Sequence, residues 1–181
     1  ASLEASTEGA CEDGACEPEH EVQASTDFAQ CARSGAKDCG TLPAIGATEW
    51  LNSLGEPHGT VTLVDFWSSS CVNCAREIPE VERIYEKYKD AGLVVIGVHS
   101  PQQAHEREAS VVSGAASRLG ITYPVALDPE LEAFKAYGAN AWPTHYLAGP
   151  DGQLRSMGRG TSGLEEQIRT LLTEAGASLP N

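Results

Sequence analysis

The sequence predicts an α/β protein in which a mixed sheet is covered on both faces by helices. Three observations carry this reading. Two short apolar runs, "TVTLVDFW" (60–67) and "LVVIGVHS" (93–100), read as buried parallel strands, because a strand covered on both faces shows no polar alternation. Between them, apolar residues recur at three- and four-residue steps, the period of one helix face. Beyond them, strand and helix signals keep alternating until an antiparallel hairpin and a last helix.

The elements follow in order. The helix between the two runs presents Ile78, Val81, Ile84, Tyr85 and Tyr88 on one side, and Gly92 stops it. Strand, helix and strand form a βαβ unit, whose crossover is expected to be right-handed. A second helix is expected from about Ala104 to Leu119, ended by Gly120, followed by a short strand, "ITYPVAL" (121–127). "DPELEAFKAYG" (128–138) reads as a compact helix with Asp128 as N-cap, Pro129 in the first turn and Gly138 as stop. "THYLAGPDGQLRSMGRG" (144–160) reads as two strands about a Gly-Pro-Asp-Gly turn. The last helix is expected to start at Ser162 with Glu165 three residues on, the spacing of a capping box. It should bury Leu164, Ile168, Leu171 and Leu172 and end at Gly176.

Residues 1–40 have a different texture. They are rich in Ala, Ser, Gly and Glu and hold few large apolar groups, so burial cannot offset their ordering entropy; an acidic tail or linker is expected, with the domain over 41–181. The tail carries nine acids against Arg33 and Lys37, half of the net charge of −14. Such a balance argues against nucleic acid as a partner, since phosphates need a basic surface; it reads mainly as a solubilising surface. No apolar stretch approaches the roughly 20 residues that span a bilayer. The first residues have neither the basic start nor the apolar middle of a signal peptide, so an exported protein would already have lost its signal or anchor.

At 181 residues the chain can build a core without disulfides, so its six cysteines need another explanation. Four lie in the expected tail: Cys11, Cys16, Cys31 and Cys39 allow three pairings, and pairing them implies an oxidising compartment. For Cys31 and Cys39 a structural disulfide is the favoured reading, with free thiols or a second redox relay as alternatives. The other two form the Cys71-x-x-Cys74 spacing of "DFWSSSCVNCAREIP". Alone that spacing is weak, because zinc sites and redox sites both use it. Here it falls where a strand ends and a helix begins. The N–H groups and dipole of a helix N-terminus favour an anion, so Cys71 is expected to ionise readily, and the thiolate is the attacking species in disulfide exchange. Cys74, one turn on, lies on the same face and can attack the mixed disulfide. Pro79 is expected to kink the helix, having no N–H for the carbonyl of Ala75. A zinc half-site with Cys11 and Cys16 is disfavoured, since that pair sits in the acidic tail; no metal is expected.

"LVDFWSSSCVNCAREIP" resembles the active-site segment of the thioredoxin superfamily, with an aspartate six residues before the first cysteine and a proline five after the second. The ordered set "EWLNS", "YEKYKDAGLVVIGVHSP", "GITYPVALD", "AYGANAWPTHYL" and "DGQLR" narrows the resemblance to the TlpA/ResA branch, and within it to the extracytoplasmic domain of DipZ-type thiol–disulfide oxidoreductases. It covers roughly residues 41–175 and implies a thioredoxin-like three-layer α/β/α sandwich. It also implies roles. Cys71 is the nucleophile and Cys74 the resolving thiol. Asp65 is a buried carboxyl that shuttles a proton to or from Cys74, which needs a pKa raised by burial. Glu77 tunes the thiols, with an exposed helical glutamate as the equal alternative. Pro143 matches the cis-proline loop that faces the disulfide and lets the Trp142 backbone bond an extended substrate. Trp142, Pro143, Thr144 and Trp67 form the expected substrate-binding set, the two tryptophans read as core and rim at once.

The resemblance implies a protein thiol–disulfide oxidoreductase outside the cytoplasm, reducing its clients and fed by a membrane electron donor of the CcdA/DsbD kind, with no dissociable cofactor. Val72, Asn73 and Ser70 depart from thioredoxin's own pattern around the cysteines, so the direction of electron flow stays open and oxidative folding is the main alternative. A peroxiredoxin-like peroxidase needs a proline seven residues before its cysteine and a threonine three before; this chain has Val64 and Ser68. A Sco-like copper module usually spaces its cysteines by three residues and adds a histidine. His99 and His145 are read as satisfied strand histidines rather than ligands or proton relays.

Overall fold

The computed structural model describes residues 27–36 and 38–180. A six-stranded mixed sheet runs through the middle in the order β1-β4-β3-β2-β5-β6, with β1 Trp50–Leu51, β2 Val61–Trp67, β3 Leu93–His99, β4 Val125–Leu127, β5 Thr144–Ala148 and β6 Leu154–Gly158. The inner strands β2, β3 and β4 are parallel, while β5, β6 and β1 pair antiparallel at the two sides. Because both faces of β2 and β3 are covered, neither strand alternates with polar residues. Val61, Leu63 and Trp67 of β2 and Leu93 and Val95 of β3 enter one core; Val64, Phe66, Ile96 and Val98 enter the other.

The first core is covered by α2 (Val72–Tyr88), α3 (Ala109–Leu119) and α5 (Leu164–Glu174). The stripe of α2 is Cys74, Ile78, Val81, Ile84 and Tyr88, so the helix that carries the cysteine pair is seated by its own apolar face. Each large side chain so buried stabilises by about 1.5–3 kcal/mol, which holds the helix start in a fixed place relative to the strand end. The second core is aromatic: Phe66 meets Phe134, Tyr137 and Tyr146 edge-on at 5.7, 5.1 and 5.8 Å between ring centres. It is covered by α4 (Glu132–Ala136) and by a helix over residues 27–33, α1.

Helix α1 departs from the expected tail. Phe28, Ala29 and Ala32 are buried, and Phe28 packs on Tyr137 at 5.8 Å. A disulfide between Cys31 and Cys39, with Cα atoms 5.5 Å apart, ties the helix to the following loop. Gly138 lets α1 come this close, since a Cβ there would sit 2.4 Å from the carbonyl oxygen of Ala29. The ordered chain therefore reaches back before residue 41. Cys11 and Cys16, and with them any pairing between the two, lie outside the described residues.

Other elements are shorter than expected, each for a local reason. The helix expected over 104–119 divides: Ala104–Arg107 is a 3-10 turn, Glu108 is extended, and α3 starts at Ala109. The strand expected over 121–127 begins only at Val125, because Pro124 has no N–H for the ladder and the Asn52 side chain instead binds the carbonyls of Ile121 and Tyr123. Asp128 is not the N-cap of α4; Leu131 is, at φ 61°, yet the Asp128 carboxylate still accepts the N–H groups of Ala133 and Phe134 at 3.0 Å. Ser162 does not cap α5 either. Gly163 stands at that position, and Glu165 is drawn away to Arg83, Lys87 and the Tyr88 hydroxyl on α2. The stops at Gly92, Gly120, Gly138 and Gly176 all hold, with positive φ at each.

Candidate active site

Strand β2 ends at Trp67, three serines follow, and Cys71 is the N-cap of α2. Its sulfur accepts the backbone N–H of Cys74 at 3.1 Å, so a donor of the helix N-terminus points at it. The two cysteines are bonded to each other across that first turn, with Cα atoms 5.2 Å apart. Cys71 is 9% exposed and Cys74 1%, so Cys71 is the more accessible of the pair. Val72, beside it, is 64% exposed, a large apolar side chain left in water.

Asp65 lies under the same helix. It stands between Leu63 and Trp67 on the same face of β2 and is 5% exposed. Across the sheet it stands opposite Gly97 on β3 and His145 on β5. Burial, with the nearby Glu77 adding, pushes its carboxyl up to about 8, so it carries a proton at neutral pH. Gly97 makes room for the neighbours: a Cβ there would meet Tyr123 at 2.8 Å and the Trp67 indole nitrogen at 3.1 Å. The Tyr123 hydroxyl and the indole N–H groups of Trp67 and Trp142 are buried and find no hydrogen-bond partner among the described residues. Burial and Asp65 together push the Tyr123 hydroxyl well above its ordinary value. Glu77, half-buried on α2 and near Gly160, is raised by burial as well.

The expected substrate set divides. The Trp142–Pro143 peptide is cis, in the loop that enters β5, and Trp142 stacks on Phe134 at 4.5 Å while packing against the core that contains both cysteines. Thr144 is buried and its hydroxyl donates to the carbonyl of Ala141 at 2.7 Å, which closes that loop. Trp67 is fully buried, with its ring edge-on to His99 at 4.8 Å. It is core and not rim, because α2 covers the face of β2 on which it stands.

Both strand histidines are buried and neutral, pushed down to about 4 mainly by burial. His99 accepts the N–H of Ser69 at its Nε2, 3.1 Å away, and so braces the loop before Cys71. Sequence reading missed a second brace, Glu106. The triple serine signals a cluster of donors in need of an acceptor, but nothing local says which carboxylate supplies it. Among the described residues no three His, Cys, Asp or Glu side chains converge as a metal site, and no helix is long and apolar enough to cross a membrane.

This arrangement can make and break a disulfide: the more accessible sulfur at a helix start, a second within bonding distance, and a protonated carboxyl on the strand beneath. Comparisons with known proteins agree with it. The model of the AhpC/TSA family matches residues 42–157. The DipZ protein of Mycobacterium bovis is 40% identical over 168 residues, which cover 84% of this chain and 24% of that protein. The thiol-disulfide oxidoreductase YkuV of Bacillus subtilis is 31% identical over 139 residues, 71% of this chain and 91% of that one. Among solved structures, a thioredoxin-like protein in its oxidised form superposes with a TM-score of 0.67 at 29% identity, over 75% of this chain and 96% of its own. Fold, site and kinship agree: this chain belongs to the AhpC/TSA family, in the company of its thioredoxin-like thiol–disulfide oxidoreductases.

Proposed function

We propose that the chain is a protein thiol–disulfide oxidoreductase that works outside the cytoplasm and runs in the reducing direction. The bonded Cys71–Cys74 pair, with Cys71 at the N-cap of α2, carries this reading. In the reduced state the Cys71 thiolate attacks one sulfur of a client disulfide. A mixed disulfide forms, the client's second sulfur leaves as a thiolate, and it takes up a proton. Asp65 first releases its own proton to water. As a carboxylate it then takes the proton of Cys74, which attacks Cys71, restoring the Cys71–Cys74 bond and releasing the client's first sulfur as a thiolate. Two electrons pass to the client, and no cofactor beyond the two sulfurs takes part. Trp142 and Pro143 hold the client chain beside the sulfurs, as in the proteins this chain resembles, and Glu77 adjusts the field at the pair.

A membrane electron donor of the CcdA/DsbD type then reduces the pair. The chain spans 24% of the DipZ protein it matches, so the donor and the clients are read from kinship and from the oxidised Cys31–Cys39 pair, which suits an oxidising compartment. A Cys74→Ser chain tests the reading. Client proteins should accumulate as mixed disulfides on Cys71, and their absence when reduced chain meets cell-envelope extract overturns it. Equilibration of the native pair with glutathione sets the direction: a pair that is readily reduced, taking electrons from envelope dithiols, makes the chain a disulfide donor instead, with about 30 mV per tenfold change in equilibrium constant.

A further inference from the structure

Three serines in succession, Ser68, Ser69 and Ser70, join β2 to the nucleophile, and their donors converge on one buried side chain from a distant part of the chain. Glu106, wholly buried in its 3-10 turn, accepts the Ser68 hydroxyl at 3.1 and 3.0 Å, the Ser69 hydroxyl at 2.9 Å and the Ser70 N–H at 2.7 Å. Its second oxygen also accepts the N–H groups of Gln102 and Gln103 at 2.6 and 3.0 Å. Burial opposes its charge, but these bonds outweigh that and hold the carboxylate down at about 2, so it is an anion at any working pH. The loop is closed on its other side as well: Ser69 N–H meets His99, and Cys71 N–H meets the Ser68 carbonyl at 3.1 Å.

We propose that Glu106 is the positioning residue of the redox pair: it clamps the three-serine loop so that Cys71 sits at the N-terminus of α2, where the helix donors stabilise its thiolate. This rests on the exchange chemistry proposed above, but its test does not. Glutamine cannot replace it, since each oxygen receives a backbone N–H that cannot turn round, Ser70 on one side and Gln102 with Gln103 on the other. Whichever way the amide is placed, its NH2 faces a fixed donor.

The test compares the reduced native chain with Glu106→Gln and Glu106→Asp, following alkylation at Cys71 by mass spectrometry across pH, together with amide exchange at Ser69, Ser70 and Cys71. Asp65, Glu77 and His99 are unchanged in all three. Both variants should alkylate about tenfold more slowly at neutral pH, with the half-maximal rate moved up by about one pH unit and the three amides less protected. A faster Glu106→Gln beside an unchanged Glu106→Asp means a through-space charge effect and overturns the clamp. So does a loss of global stability with the pH profile unmoved. Should neither variant fold, Ser69→Ala removes one bond and should shift the profile the same way by less; an unmoved profile there overturns the proposal too. A native chain that alkylates as expected yet exchanges no client disulfide would count against the proposed function and leave the clamp standing.

Discussion

Asp65→Asn keeps the shape of a buried side chain and removes its ability to ionise. Folding moves the Asp65 carboxyl from 3.8 to about 8, so between those values the folded chain holds a proton that the unfolded chain has released. Its contribution to stability is therefore fully present below pH 3.8 and is lost as pH rises toward 8. At about 1.4 kcal/mol per unit the loss reaches ~4 kcal/mol at pH 7 and roughly 6 kcal/mol above pH 8. Water entry and relaxation around the charge reduce this, so the asparagine chain should gain about 2–4 kcal/mol over the native one between pH 4 and pH 7. Urea unfolding of both oxidised chains from pH 4 to 9 measures the difference, in which the titration of the buried histidines cancels. A difference that stays constant across that range refutes the placement of a protonated carboxyl under α2. The same substitution should lengthen the life of the mixed disulfide most above pH 8, where the native Asp65 is ionised and can accept the proton of Cys74; trapping with a model disulfide and quenching in acid reads that directly.

Further outcomes follow from the same geometry. Gly97→Ala puts a methyl group 2.8 Å from Tyr123 and 3.1 Å from the Trp67 nitrogen, both fully buried. It should cost about 1–3 kcal/mol in urea unfolding, and an unchanged midpoint would show that the sheet has slack there. His99 and His145 are neutral when folded, so their contribution is present above pH 6.5 and lost as pH falls toward 4, up to roughly 3 kcal/mol each. His145→Gln should accordingly flatten the acid limb of the stability profile, and an acid limb identical to the native one would refute this. The Cys31–Cys39 bridge closes a loop of eight residues' separation and should contribute about 2–3 kcal/mol; the Cys31→Ser, Cys39→Ser chain should melt several degrees lower while Cys71–Cys74 still forms.

What could be read along the chain was whatever is encoded within a few residues. The unbroken apolar runs of β2 and β3, the stripe from Ile78 to Tyr88, the glycine stops and the placing of a cysteine pair at a strand-to-helix junction are local patterns. They were enough for the sandwich and for Cys71 and Cys74. Helix α1 escaped notice because seven residues with one large apolar group carry no period; its stability comes from Tyr137 and the cleft beside Gly138, more than a hundred residues away. Trp67 read as core and rim at once because its place next to the cysteines is visible in sequence, whereas the helix that covers its face is not. Only the tertiary structure could choose Glu106 out of 26 acidic residues, since the serines it holds lie 36 to 38 positions away. The proton on Asp65 has the same origin. Its charge is suppressed by neighbours gathered from other strands and from α2, and electrostatic burial depends on distance in space, to which order along the chain is a poor guide.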